Sequence, residues 1–198
     1  MDFTQQLFSY GFRYVIGVDE VGRGPLAGPV VSAAVCITHP LFIEGLKDSK
    51  LLTEKKREHL EKIIKKSVHS FSYGIVDPRI IDEIGILEAS KQAMVKAVMG
   101  LSIPLDDSII LIDGNFSIPI DSPQMSIVKG DRKVLVISAA SILAKVLRDK
   151  IMMEFDKLYP YYGFSRHKGY PTKQHIEALK RFGPSPIHRL SFKHVSDK

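Results

Sequence analysis

The chain has 198 residues, of which 44% are apolar and 25% charged. Those proportions suit one soluble globular domain with a substantial core, and no run approaches the ~18 consecutive apolar residues a membrane span needs. Twenty-eight Lys and Arg against 22 acidic residues leave a net charge of +6, which suits a polyanionic partner without demonstrating one.

In chain order, residues 1–12 read as a leader, partly helical, with no basic n-region or apolar h-region of a secretory signal. Strands are expected over 13–19 and 29–37, joined by a glycine-rich turn. The single Cys36 lies in the second of these runs. It excludes an intramolecular disulfide, reads as a small buried hydrophobe, and fits a reducing cytosol, so a cytoplasmic location is expected. Thr53 is a suitable N-cap for a helix over 54–68 with Leu60, Ile63, Ile64 and Val68 on its apolar stripe. The basic run Lys55-Lys56-Arg57 reads as a solvated face of that helix, with nucleic-acid contact the alternative. A third strand covers 69–76, and a long helix covers 84–100, introduced by a turn after Pro78. The apolar strand 108–112 ends at Asp113. Residues 118–128 read as irregular or a short strand, broken by Pro119 and Pro123. A helix over 135–159 carries small residues that permit close packing, and a last helix over 172–182 stops at Gly183-Pro184. Strands with interspersed helices indicate a layered α/β domain. No repeat or linker divides the chain, and no apolar surface stripe demands a partner, so a monomer is expected.

The chemistry concentrates in carboxylates. Asp19-Glu20 closes an apolar strand and enters Val21-Gly22-Arg23-Gly24-Pro25. Carboxylates at a buried strand end are costly unless a cation compensates them, and glycines admit a ligand close to the backbone. Asp113 closes a second strand, and Asp131 follows Lys129-Gly130 before the long helix. Ligands of open α/β sheets gather outside the carboxyl ends of strands. The plainer alternatives are a turn residue for Asp113 and a helix cap for Asp131. An oxygen-only donor set, with no Cys or His pair at zinc spacing, selects Mg²⁺ or Mn²⁺.

Val18-Asp19-Glu20-Val21-Gly22-Arg23-Gly24-Pro25-Leu26-Ala27-Gly28-Pro29-Val30 resembles the N-terminal signature of the type 2 ribonucleases H, bacterial ribonuclease HII in particular. Four further blocks agree in the same order. They are Lys47-Asp48-Ser49-Lys50-Leu51, Ile112-Asp113-Gly114-Asn115, Lys129-Gly130-Asp131 running on through 138–149, and Gly163-Phe164 with His167-Lys168-Gly169-Tyr170-Pro171-Thr172. The resemblance spans roughly 13–195. It implies a ribonuclease H-like α/β fold, a mixed five-stranded sheet flanked by helices. One catalytic domain would cover 1–198, its core over 13–160 and a C-terminal helical extension over 161–198 beside the cleft.

The resemblance further implies an endonuclease that hydrolyses the RNA strand of RNA–DNA hybrids and cuts 5′ of ribonucleotides embedded in duplex DNA. A two-metal mechanism would leave 5′-phosphate and 3′-hydroxyl ends. Asp19, Glu20 and Asp113 would be the principal ligands and Asp131 the fourth carboxylate. Gly22, Arg23 and Gly24 would approach the 2′-hydroxyl, and Tyr170 would pack on the deoxyribose that follows the ribonucleotide. Ser49, Lys50, Lys145, Arg148 and Lys168 are candidate phosphate contacts, each with a surface or ion-pair role as the alternative, Arg148 and Asp149 especially. The short stretch before Asp19 and the Gly22-Arg23-Gly24 triplet set the chain apart from ribonuclease HIII, and no sliding-clamp peptide is evident at the C-terminus. Rival readings are a junction resolvase of the same fold, a catalytically dead hybrid binder, and a basic nucleic-acid binder that needs no metal.

Overall fold

The computed structural model describes residues 3–46 and 52–196. A short helix α1 (Phe3–Ser9) precedes β1 (Tyr14–Val21) and β2 (Val30–Ile37). Helix α2 (Glu54–Ser67), β3 (Ser70–Val76), α3 (Pro78–Met99), β4 (Ser108–Asp113) and β5 (Gln124–Ile127) follow. The chain closes with α4 (Gly130–Lys133), α5 (Leu135–Leu158), α6 (Phe164–His167) and α7 (Lys173–Phe182). The strands form one mixed sheet in the order β3-β2-β1-β4-β5. β1, β2 and β3 pair antiparallel, whereas β4 and β5 run parallel to β1.

Alternation along the strands divides the core between the two faces. Val15 of β1, Val35 of β2 and Leu111 of β4 join Leu60 and Ile64 of α2 and Ile137 and Leu143 of α5 on one face. Ile16 and Val18, with Ala34 and Ile112, meet Met94, Ala97 and Val98 of α3 on the other. Period-two alternation between two helical layers produces this division. The first turn of α5 lies directly on β1 at Gly17, where a Cβ would stand 2.5 Å from the backbone carbonyl of Val136. Only a glycine lets the helix come so near the strand.

Two elements depart from expectation. β1 runs through Val21 instead of stopping at Asp19, because its ladder to β2 persists to the pair Val21–Val31. Helix α3 begins at Pro78, earlier than expected, and is interrupted at Gly85, whose φ of +79° is non-helical. Of the two readings for 118–128, the short strand holds for 124–127, since Gln124 to Ile127 pair in parallel with Ile110 to Asp113. The N-cap at Thr53 is as expected, its hydroxyl accepting from the Lys56 amide at 3.4 Å.

The C-terminal part adds a third layer of contacts. Tyr162, Phe164, Leu179 and Ile187 pack with Leu26 and Ala27 of the glycine-rich turn and Met152 of α5. The extension therefore rests on the turn itself. Among the described residues, no helix is long and apolar enough to cross a membrane.

Candidate active site

Val18 of β1 pairs with Ile112 of β4 in parallel register, so Asp19 and Asp113 stand side by side at neighbouring carboxyl ends. Backbone hydrogen bonds hold both. The Glu20 amide donates to Asp19 Oδ1 at 2.7 Å, and the Gly130 amide donates to Asp113 Oδ1 at 2.7 Å. The Ser32 hydroxyl, across the ladder on β2, donates to the Asp19 carbonyl at 2.7 Å. Asp19 is only 5% exposed. Burial pushes its carboxyl well above the usual range, and the charges of Glu20 and Asp113 push it further, against hydrogen bonds from Ser141 and the Glu20 amide. Burial also raises Glu20; the Arg23 guanidinium, 3.4 Å from Oε1, opposes this, and Asp113 adds to it.

These three carboxylates line one cavity of about 330 Å³ together with Ser141, Lys145 and Tyr170. Arg57 reaches the same cavity from α2. Asp149 gathers the two cations at its rim: Lys145 Nζ lies 2.6 Å from one carboxylate oxygen and Arg57 Nη2 3.9 Å from the other. Anionic floor and cationic rim thus face one space.

As the side chains stand, no three carboxylates or imidazoles among the described residues close on one point at metal-ligand spacing. Glu20 is engaged with Arg23, and Asp113 with the Gly130 amide. The donor chemistry nevertheless fits a hard divalent cation. Three carboxylates share a partly buried cavity, and the raised Asp19 carboxyl reflects a charge that a cation would relieve.

The turn between β1 and β2 forms one wall. Gly22 has φ +98°, and a Cβ there would stand 2.3 Å from Arg148 Nε. Gly24 lies against Tyr170, where a Cβ would meet Cε1 at 3.7 Å. Tyr170 is 40% exposed and has the Arg148 guanidinium 6.0 Å from its ring centroid.

Of the residues singled out by sequence, Asp19, Glu20, Asp113, Lys145 and Tyr170 meet at this cavity, and Gly22, Arg23 and Gly24 flank it. Asp131 does not reach its surface. It is fully buried in α4, and its backbone carbonyl accepts from the Ser138 hydroxyl. Lys168 turns its ammonium to the Ser165 carbonyl and Met153 Sδ, away from the cavity. Ser49 and Lys50 lie outside the described residues.

Arg148 requires a correction. It is not a phosphate contact, because its side chain is completely buried and spends its donors on the carbonyls of Pro29, Lys168 and Ala27 at 3.0–3.1 Å. Sequence reasoning also passed over Ser141 and Arg189, and gave Arg57 a nucleic-acid contact only as the alternative to a solvated face. Arg57 sat in a basic run that suits a solvated face, and Ser141 in a run of small packing residues. No local pattern marks Arg189, whose contacts are more than 160 residues away in sequence.

A family model described as Ribonuclease HII matches residues 16–195. A curated ribonuclease HII of Ruminiclostridium cellulolyticum is 52% identical over 192 residues, which span 97% of this chain and 74% of that protein. The ribonuclease HII of Bacillus subtilis is 50% identical over 182 residues, 92% of this chain and 70% of that one. Among solved structures, the ribonuclease H2 of Pyrococcus horikoshii OT3 superposes with a TM-score of 0.75 at 29% identity, covering 92% of this chain and 95% of that one. The mixed sheet with flanking helices is thereby the ribonuclease H-like fold.

Proposed function

The chain belongs to the ribonuclease HII family, metal-dependent hydrolases of RNA paired with DNA, and on that premise we propose that it cuts on the 5′ side of ribonucleotides embedded in duplex DNA as well as within RNA–DNA hybrids. The observation that supports this most is the meeting of Asp19, Glu20 and Asp113 in one cavity with Tyr170, beside the Gly22-Arg23-Gly24 turn.

Asp19, Glu20 and Asp113 would hold Mn²⁺ or Mg²⁺, with Asp131 the fourth carboxylate behind them. When bound, two such cations supply a water acidic enough to attack at neutral pH and neutralise charge on the leaving oxygen. The chain's own groups do the rest. Glu20 would hold the cation in place of its contact with Arg23, whose guanidinium would then face the substrate backbone. Lys145 and Arg57, held by Asp149, meet the phosphate oxygens. Backbone groups of the glycine turn read the 2′-hydroxyl that separates RNA from DNA. Tyr170 packs on the deoxyribose that follows. The 3′-hydroxyl and 5′-phosphate ends follow from water attacking the phosphorus in line with the 3′ oxygen. The protein acts as one catalytic domain, with residues 161–198 shaping the cleft, and as a monomer.

The test is a labelled DNA duplex carrying one ribonucleotide, run beside all-DNA and RNA–DNA hybrid duplexes in Mg²⁺, Mn²⁺ and EDTA. A metal-dependent nick 5′ of the ribonucleotide, absent from all-DNA, is the expected result. Cleavage of hybrids alone would remove the embedded-ribonucleotide reading. Equal cutting of all-DNA junctions would favour a resolvase.

A further inference from the structure

Two arginines are buried without a direct ion pair, Asp149 and Asp82 supporting their charge only from farther off. Arg148 of α5 and Arg189, seven residues beyond α7, are both fully buried, and neither has an ion-pair partner among the described residues. Burial weakens the charged form of both, and Arg148 weakens that of Arg189 further. Burial lowers Arg148 to about 10, and burial followed by the charge of Arg148 lowers Arg189 to about 9, so both stay protonated at neutral pH. Buried charges without counter-ions are costly and persist where hydrogen bonds satisfy them.

The hydrogen bonds here converge on a single segment. Arg189 donates from Nε to the Gly28 carbonyl at 3.0 Å, from Nη1 to Arg23 at 3.1 Å, and from Nη2 to Gly22 at 2.6 Å and Gly28 at 2.8 Å. Arg148 donates to Ala27 and Pro29 of the same turn and to Lys168, two residues before Tyr170. The Arg189 amide donates to the Leu26 carbonyl at 2.9 Å, and the Gly28 amide donates to Ile187 at 2.9 Å. The carbonyls of the turn are thus drawn to the interior. Among the described residues, the backbone N–H groups of Gly22, Arg23 and Gly24 meet no backbone acceptor. A backbone whose carbonyls are tied inward on both sides of the turn has its free amides set before any ligand arrives.

We infer that Arg189, with Arg148, is a positioning residue for ribose recognition: the two guanidiniums hold the Gly22–Pro29 turn in the conformation that presents its amides to the 2′-hydroxyl. This deepens the proposed function and rests on the reading of that turn as the hydroxyl-sensing wall. It also gives the C-terminal segment a role in the chemistry, because Arg189 reaches the turn from the far end of the chain.

The test is Arg189→Lys, which keeps the charge but not the planar fork that reaches Gly22, Arg23 and Gly28 together. Folding is checked by circular dichroism. The kcat and KM are then measured on the single-ribonucleotide duplex, with the ratio of ribonucleotide to all-DNA cleavage. The folded variant should lose kcat and the ratio by at least about tenfold each while KM stays within about threefold, since duplex affinity comes from other contacts. A kcat and ratio within about twofold of the parent overturn the inference, because a purely structural residue changes the folded fraction and not the selectivity. A parent protein that itself cuts both duplexes alike defeats the hydroxyl reading and the inference with it.

Where the lysine variant does not fold, hydrogen exchange on the parent decides. The amides of Leu26 and Gly28, which donate to Gly169 and Ile187, must be equally protected alone and with all-DNA duplex in EDTA, with slowing at 22–24 only on the ribonucleotide duplex. Free exchange at Leu26 and Gly28 until substrate binds overturns the inference.

Discussion

Replacing Asp113 by Asn keeps an oxygen for the Gly130 amide and removes one of three charges from the cavity. The lost charge is one that pushes the Asp19 carboxyl up. Metal-free Asp113→Asn should therefore melt higher, by about 2–4 °C for each 1 kcal/mol of repulsion relieved, while cleavage disappears. Calorimetry in EDTA checks this, and an unchanged or lower melting temperature would speak against crowded carboxylates. Tyr170→Ala should weaken capture of the ribonucleotide duplex by about 1–3 kcal/mol, the usual worth of an aromatic platform, with the melting temperature nearly unchanged because the ring is half exposed. Fluorescence anisotropy with labelled duplex reads the loss. At this scale sequence reasoning singled out Asp19, Glu20, Asp113 and Tyr170, which the fold brings to one cavity, because their positions at strand ends or in a distinctive motif are local facts. It failed for Arg148, because a cation on a helix looks the same in sequence whether it meets phosphate or buried carbonyls.

Gly17 is where two elements depend most on a missing side chain. Its Cβ would meet main-chain atoms of Val136 at 2.5 Å, which no rotamer change relieves. Gly17→Ala should push α5 off β1 and lower stability by at least about 2 kcal/mol, as forced overpacking does. Because Ser141 and Lys145 ride on α5, activity should fall along with the melting temperature. Thermal denaturation with a single-turnover rate tests both, and an alanine protein as stable as the parent would contradict the close approach. The strands β1, β2 and β4 were legible from their apolar runs, α2 from a threonine cap whose hydroxyl does accept the Lys56 amide, and α7 from its Gly183-Pro184 stop. The full reach of β1 was not, and β5 was only one of two readings, since both depend on a ladder to a partner distant in sequence. The break in α3 at Gly85 was hidden because one glycine is tolerated within a helical pattern.

Across the whole molecule, a chain of buried imidazoles joins the C-terminal extension to the loop of Tyr170. The Ser185 amide donates to His188 Nδ1 at 2.9 Å, so the His188 proton is on Nε2 and donates to His175 Nε2 at 3.0 Å. His175 then has Nδ1–H for the Tyr170 carbonyl at 3.0 Å. A further proton on either ring would set N–H against N–H. Burial, together with the neighbouring imidazoles, lowers both from the ordinary 6.5 to about 4. The unfolded chain therefore takes up protons first. Stability from these groups is whole above pH 6.5 and is lost as pH falls toward 4, by on the order of 3 kcal/mol or more. The melting temperature should drop across that window and the imidazole resonances should titrate near 4; midpoints near 6.5 would contradict the network. The account as a whole depends on the strand-end carboxylates holding the cation together. Titration calorimetry with Mn²⁺ on the parent, Asp19→Asn and Asp113→Asn tests that most directly. The account predicts binding in the parent and its loss in both folded variants, whereas parent-like affinity in Asp19→Asn would put the metal elsewhere and contradict it.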